Sequence, residues 1–557
     1  MGRSALWCLA LVASVLVVFQ PAFGAGFVNW DDNLIVTGNP HYRGLSGSHL
    51  RWMLTSLYGG HWEPLTWLSL ALDHRFHGME PRGYHATNVA LHAGCAVLVF
   101  ALVRVLFPAL GRGGAGIAAA FFALHPLRVE SVAWVTERRD VLSALLFLAT
   151  TLLWARATRG GRWPWLAASY AAFALALMAK AAGLAWPLVF LVVDVLAERP
   201  REVGMRRVVL EKVPYVALAV AAVLPALEAL DRFGATEMAG ALDPGQRAAQ
   251  ALYGLYFYPA HTLVPVGLSP LYLLDLRLSP LEPRYLGAAL AVVAVTATLV
   301  ALRRRLRVGL AAWLCYGALI LPFLGLSSNG IHLVADRYSY VGCLPFAVLV
   351  GGGAALGLRA APLRTAAVAL LVLAGLGAGT FRQTRVWNDS LSLWNRAVEV
   401  EPENYVALNK RGLTRLELRD REGAIADFSA AVTARPKYAS AYLNRGIAQV
   451  SSAPGAALAD FDRAIELRAK DPAAFTNRGA LRIQRGDYAG AVEDLTEALR
   501  LAPGVPTTLL NRGLAHLSLS NGRAALADFE GALRAAPPSW PYRQMVEEKA
   551  IQARAMM

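Results

Sequence analysis

Long apolar runs separated by short basic turns fill roughly the first two thirds of the chain, and a shorter, regularly repeated pattern of apolar and polar positions fills the rest. In the first part the runs at 5–23, 86–106, 114–130, 138–155, 164–180, 182–198, 213–230, 284–302, 309–326, 338–358 and 364–381 each come near the ~20 residues a helix needs to cross a hydrocarbon core. They predict about eleven membrane spans. Leu252 to Leu268 is also apolar, but Pro259 and Pro265 interrupt it and Pro270 follows, which predicts a re-entrant or interfacial segment.

From about Trp394 the character is that of a soluble domain. Arg411-Gly412, Arg445-Gly446, Arg478-Gly479 and Arg512-Gly513 recur at intervals of 34, 33 and 34 residues, and Asp427-Phe428, Asp460-Phe461, Asp494-Leu495 and Asp528-Phe529 keep the same period. A 34-residue period of helix pairs is the tetratricopeptide (TPR) signature. A helical glycine costs ~1 kcal/mol, so its recurrence predicts close packing by the second helix, through small residues such as Ala464 and Ala498. The expected fold is all-α. A polytopic membrane bundle covers 1–390, with a first extracytoplasmic loop at about 24–85. A TPR α-solenoid covers 391–537, and a capping helix covers 538–557.

Composition supports the membrane assignment: 56% of the 557 residues are hydrophobic and 17% charged, with a mean hydropathy of +0.41. The net charge of +15 would suggest nucleic acid in a soluble protein. Here the excess sits in short turns beside apolar runs, among them Arg156 to Arg162, Arg199 to Lys212 and Arg303 to Arg305, so it reports topology and no nucleic-acid partner is expected. This positive-inside pattern places the loop after the first span on the extracytoplasmic side of a multi-pass inner membrane, with the repeats periplasmic. Ala22 to Ala25 also offers a signal-peptide cleavage site, which would leave that loop on the same side. Cys8, Cys95, Cys315 and Cys343 all lie in apolar runs without metal-ligand spacing.

The candidate chemistry gathers on that outer side. Asp31 and Asp32 are adjacent carboxylates at a membrane interface, where like charges repel and resist desolvation. They are the candidate catalytic pair; capping or solvating a loop is the plainer alternative. Arg138, Lys180, Asn329, His332 and Arg337 fall on the same side, as do Asp140 and Asp336, and the cations among them run against the positive-inside trend. Such cations either pair with carboxylates or receive an anionic substrate. His61, His85 and His125 lie nearby. His85, Asn88 and His92 share a helix face, a spacing open to a divalent metal but more often used for interhelical hydrogen bonds.

Together these segments resemble the transmembrane and TPR repeat-containing O-mannosyltransferases and their bacterial relatives, of the type C glycosyltransferase fold. The resemblance rests on Asp31-Asp32, His61 to Thr66, Gly83 to His92, Leu124 to Asp140, Asp336 to Tyr340 and Arg385 to Trp394. It implies inverting transfer from a polyprenyl-phosphate sugar to an extracytoplasmic acceptor. Asp31 or Asp32 would be the base, with Asp31 favoured, and Arg138, Lys180 and Arg337 would hold the donor phosphate. His61, His85, His125, Asp140 and Asp336 would support them. Ala181 and Glu63 depart from the animal pattern, so the sugar and the acceptor stay open. The repeats imply a protein or peptide partner. Two other classes compete: a catalytically silent envelope scaffold built on the repeats, and a transporter. The transporter is disfavoured because the polar residues sit at span ends and not at mid-membrane.

Overall fold

The computed structural model describes residues 2–160, 163–232, 242–326 and 330–557. Asn329, named above among the outer polar residues, lies outside the described residues. The chain divides into two units, Met1–Val400 and Glu401–Met557.

In the first unit a helix coincides with each predicted apolar run, but the helices differ in length. Among the described residues five are long and apolar enough to cross a membrane: Pro81–Leu106, Arg138–Gly160, Met205–Arg232, Pro283–Ala301 and Pro362–Val386. A sixth crossing is available if Asp336–Gly342 and Leu344–Ala360, bent by 57°, act together. Arg3–Val18, Trp163–Ala179, Trp186–Leu196 and Arg307–Phe323 are shorter apolar helices, and at 1.5 Å per residue a 16-residue helix rises about 24 Å. The expected count of eleven full spans is therefore not what the helix lengths give, because prolines, glycines and polar turns end several helices inside their apolar runs. Pro244–Leu263, with Pro259 inside it, covers much of the predicted re-entrant segment.

Small residues set one close helix contact. Gly111–Ala123 lies against Leu344–Ala360 so tightly that a Cβ on Gly114 would sit 2.8 Å from the Gly351 carbonyl, and one on Gly351 2.6 Å from the Gly114 carbonyl. Two short strands, Tyr272–Leu273 and His332–Val334, pair antiparallel and present His332 beside Arg337.

The second unit is a stack of helix pairs. In each pair the repeated arginine chelates the repeated aspartate of the next helix: Arg411 with Asp427, Arg445 with Asp460, Arg478 with Asp494 and Arg512 with Asp528. A third guanidinium bond reaches back to the preceding pair, from Arg445 to Ser429, Arg478 to Asp462 and Arg512 to Thr496. These arginines therefore stitch the array together. The repeated glycine is covered by the residue after that aspartate, and not by Ala464 or Ala498 as expected. A Cβ on Gly446 would meet the Phe461 ring at 2.6 Å, and one on Gly479 would meet Leu495 at 2.8 Å. Val546, Ala550 and Ala553 of Arg543–Ala555 bury against Leu510, Ala525 and Phe529.

Candidate active site

The polar turn between Val129–Ala133 and Arg138–Gly160 collects one group of buried charges in the first unit. Glu137, fully buried, is at its centre. Arg139 donates to it through Nη2 at 2.7 Å and Nε at 3.1 Å. Arg337 Nε lies 3.3 Å away and Lys180 Nζ 3.8 Å. Burial opposes the Glu137 charge, but the three cations outweigh it and hold this carboxyl well below the usual range.

Each cation has a second acid. Glu130 accepts from the Arg337 backbone N–H at 2.8 Å and from its guanidinium at 2.5 Å. Asp140 pairs with Lys180 and accepts from Ser131 Oγ at 2.9 Å. Glu63 lies 4.0 Å from Arg139, and burial pushes its pKa up to about 7. Thr66 Oγ1 donates to the Ala179 carbonyl at 3.0 Å, which ties the Glu63 turn to the residue before Lys180. His61 faces the same cations, and burial followed by Arg139 holds its imidazole neutral, well below its ordinary pKa. Three cations thus meet four carboxylates.

The Asp31-Asp32 loop is anchored to this cluster. Asp32 is buried, and its carboxylate accepts from Val28 N–H at 3.0 Å, Thr136 N–H at 3.0 Å and Thr136 Oγ1 at 2.6 Å. Thr136 is the residue before Glu137. Desolvation raises the Asp32 pKa to about 6, against the lowering effect of these three bonds. Asp31 is only half-buried. The loop is also held from the other end of the unit: Ser390 Oγ accepts from Asn29 N–H at 2.9 Å, Trp394 Nε1 donates to Asn29 Oδ1 at 2.5 Å, and the Asn388 carbonyl accepts from Gly26 N–H at 2.9 Å. The Trp30 ring makes edge contacts with both Trp394 and His332.

The structure separates the expected site residues. Lys180, Arg337, Asp140 and His61 meet in the cluster, and His85 lies 3.3 Å from the Gly26 carbonyl that opens the Asp31 loop. Arg138 does not join them. It is 0% exposed, pairs with Asp73, and donates to Asn88 Oδ1 at 2.7 Å and the Tyr84 carbonyl at 2.7 Å, so its donors are used in holding helices together. Arg139, one residue on and about 100° around the helix, is the arginine of this run that reaches Glu137. His125 is likewise structural, with Nε2 3.0 Å from the Thr262 carbonyl and Nδ1 accepting from Leu127 N–H. Asp336 accepts from Tyr272 Oη at 3.0 Å and fixes the short ribbon. The metal-compatible face is occupied by hydrogen bonds: His92 contacts Tyr340 Oη at 2.6 Å and the Ala123 carbonyl at 3.0 Å, while Asn88 serves Arg138. Among the described residues no three His, Cys, Asp or Glu side chains gather as metal ligands.

The first unit also holds an apolar groove of about 650 Å³. It is lined by Val12 and Leu16, by Ala90 and Gly94 a few turns along the helix that carries His85, and by Leu145 and Ala149 along the helix that begins at Arg138.

Residues 79–227 match the family described as dolichyl-phosphate-mannose-protein mannosyltransferase, and four overlapping segments between 381 and 539 match tetratricopeptide repeats. The protein O-mannosyl-transferase Tmtc1 of Drosophila melanogaster is 33% identical over 198 residues, covering 34% of this chain. Tmtc2 of the same fly is 31% identical over 214 residues, covering 36% of the chain, and human TMTC4 is 31% identical over 176 residues, covering 28%. This chain is a relative of these O-mannosyl-transferases. Each match spans 23% of the relative's own length. The mannosyltransferase match contains Glu130, Glu137, Arg139, Asp140 and Lys180, but not Asp31, Asp32, Glu63 or Arg337.

Sequence reasoning did not single out Glu63, Glu130, Thr136, Glu137 and Arg139 as site residues. The signal was present in the Glu137-Arg138-Arg139-Asp140 run, where four charges in a row between two apolar stretches cannot all be solvated. What the run alone does not give is which arginine faces which way, since that depends on where the helix starts.

Proposed function

We propose that this protein is a membrane glycosyltransferase that moves a sugar, mannose being the family precedent, from a polyprenyl-phosphate donor to a hydroxyl of a protein acceptor. The observation that carries the reading is a half-buried Asp31 on a loop whose neighbour Asp32 is bonded to Thr136, directly beside the cations around Glu137. The kinship with O-mannosyl-transferases supports it over the charge-bearing half of that arrangement.

In this reading the acceptor hydroxyl gives its proton to Asp31, and its oxygen attacks the anomeric carbon from the face opposite the phosphate. The bond between that carbon and the phosphate oxygen breaks with inversion. Polyprenyl phosphate departs with the electron pair. General-base help of this kind contributes ~10²–10⁴-fold. Fixed cations in a water-poor site favour the developing phosphate charge. Lys180, the most exposed cation of the cluster at 19% of its side chain, would meet the phosphate first, with Arg139 and Arg337 behind it. The apolar groove along the first helix would take the polyprenyl chain. The site would face the periplasm, and the repeats would engage the acceptor protein there.

The test is donor consumption by the purified protein in detergent, with a panel of polyprenyl-phosphate sugars and Ser/Thr-containing peptides. Acceptor-dependent release of polyprenyl phosphate supports the enzyme. If no donor is consumed while the repeats retain an envelope protein, the non-catalytic scaffold replaces it.

A further inference from the structure

Far along the chain from the acidic loop, a second charged construction joins the end of Trp186–Leu196 to the start of Val213–Arg232. Asp194, 2% exposed, pairs with Lys212 and with Arg199 at 3.3 Å. Arg199 also pairs with Glu211 at 2.7 Å, and Tyr170 Oη donates to the Glu211 backbone carbonyl at 3.0 Å. Two acids and two bases thus neutralise one another under the surface. Lys212 also lies over the Trp154 ring at 5.2 Å, so the group is part of the helix packing.

Above it opens a pocket of about 490 Å³ lined by Tyr170, Val203, Arg206, Arg207, Leu210 and Glu211. Glu211, the one acid in that lining, faces Arg199 and takes Arg207 Nε at 3.3 Å. Among the described residues no carboxylate lies within ion-pair distance of Arg206, and Arg207, whose side chain is 62% exposed, meets Glu211 through Nε. The neutral tetrad beneath leaves the pocket's charge to these two arginines. Arg307 bonds Glu198 at 3.2 Å, which brings the Arg303 to Arg305 run to the same end of the unit. Met205 and Leu210, both more than half exposed, are the two ends of the short helix Met205–Leu210, and the apolar crossing Met205–Arg232 begins there. An arginine pocket at the end of an apolar helix of crossing length, flanked by exposed apolar side chains, suits the depth of lipid headgroups.

We propose that this pocket binds the phosphate of an anionic phospholipid headgroup, with Arg206 and Arg207 as its ligands and Met205 and Leu210 among the acyl chains. Phosphate as a free ion shares the ligand chemistry, so the experiment must separate the two sources. The purified full-length protein is exchanged into phosphatidylcholine nanodiscs and titrated with phosphatidylglycerol, phosphatidylcholine or inorganic phosphate, bound lipid being read by native mass spectrometry. Wild type should retain phosphatidylglycerol over phosphatidylcholine by about 30-fold, the value two arginines near an anionic headgroup supply. Arg206→Ala/Arg207→Ala should lose that preference while remaining monodisperse, and Arg206→Lys/Arg207→Lys should recover most of it. Equal retention by wild type and the alanine pair would overturn the proposal. So would displacement of the lipid by millimolar inorganic phosphate, which would identify a soluble anion as the ligand.

Discussion

Asp32→Asn should cost more stability at acid than at neutral pH, and the size of the change can be worked out from the three bonds and the burial. The Asp32 carboxyl is raised from 3.8 to about 6 by desolvation, so the folded state holds the proton more tightly than the unfolded state does. This contribution is therefore full below pH 3.8 and is lost as pH rises through about 6. By proton linkage the wild type loses about 2.5 kcal/mol from this group between pH 4 and pH 7. Asparagine cannot titrate, so the variant lacks that slope. It keeps one oxygen for Thr136 but turns an amide NH2 toward Val28 N–H, leaving one buried donor unsatisfied at a cost of ~1–3 kcal/mol. At pH 4 the wild type should be clearly the more stable. At pH 7, where the wild type also carries its desolvation cost, the two should lie within ~2 kcal/mol of each other. The assay is thermal unfolding in detergent followed by tryptophan fluorescence across pH 4–8. Parallel pH curves for the two proteins would refute the burial argument and return Asp32 to the candidate bases.

Other substitutions separate structural from chemical roles. Lys180→Met should reduce donor consumption by ~10-fold or more while leaving folded protein, whereas Arg138→Met should strand buried Asp73 and lower the yield of folded protein by a destabilisation of ~3–5 kcal/mol, a contrast read by size-exclusion profile and release assay side by side. Trp394→Phe removes the Nε1 bond to Asn29, worth ~0.5–1.5 kcal/mol; it should lower turnover more than it lowers the unfolding temperature, and an unchanged rate would show that this bond does not position Asp31. Gly446→Ala drives a methyl to within 2.6 Å of the Phe461 ring, an overpacking cost of ~1–3 kcal/mol that a second change, Phe461→Leu, should partly relieve in thermal unfolding.

Both halves of the architecture were legible because each rests on a periodicity. Twenty-residue apolar runs and a 34-residue repeat are long-range averages that single residues do not spoil. The number of full crossings was not legible, since helix ends depend on local turns such as His125-Pro126 that an apolar average passes over. For the site, the loop carrying Asp31 and Asp32 and the cations Lys180 and Arg337 could be named from their charge in an apolar setting. The choice between Arg138 and Arg139 could not, because adjacent residues on a helix point about 100° apart and only the packing against Asp73 and Asn88 fixes which one turns inward. Glu63 was read as a departure from a family pattern. In the structure it is a buried acid 4.0 Å from Arg139, a place that needs the fold of 61–66 onto Ala179 to become visible.

The central claim is that Asp31, and not Asp32, takes the acceptor proton. Its most direct test is sugar transfer from a polyprenyl-phosphate donor to a peptide by wild type, Asp31→Asn and Asp32→Asn, with each protein's folded fraction measured in the same preparation. The account predicts that Asp31→Asn is folded as well as wild type and slower by ~10²-fold or more, while Asp32→Asn keeps measurable transfer per folded molecule. Full activity in Asp31→Asn would contradict it.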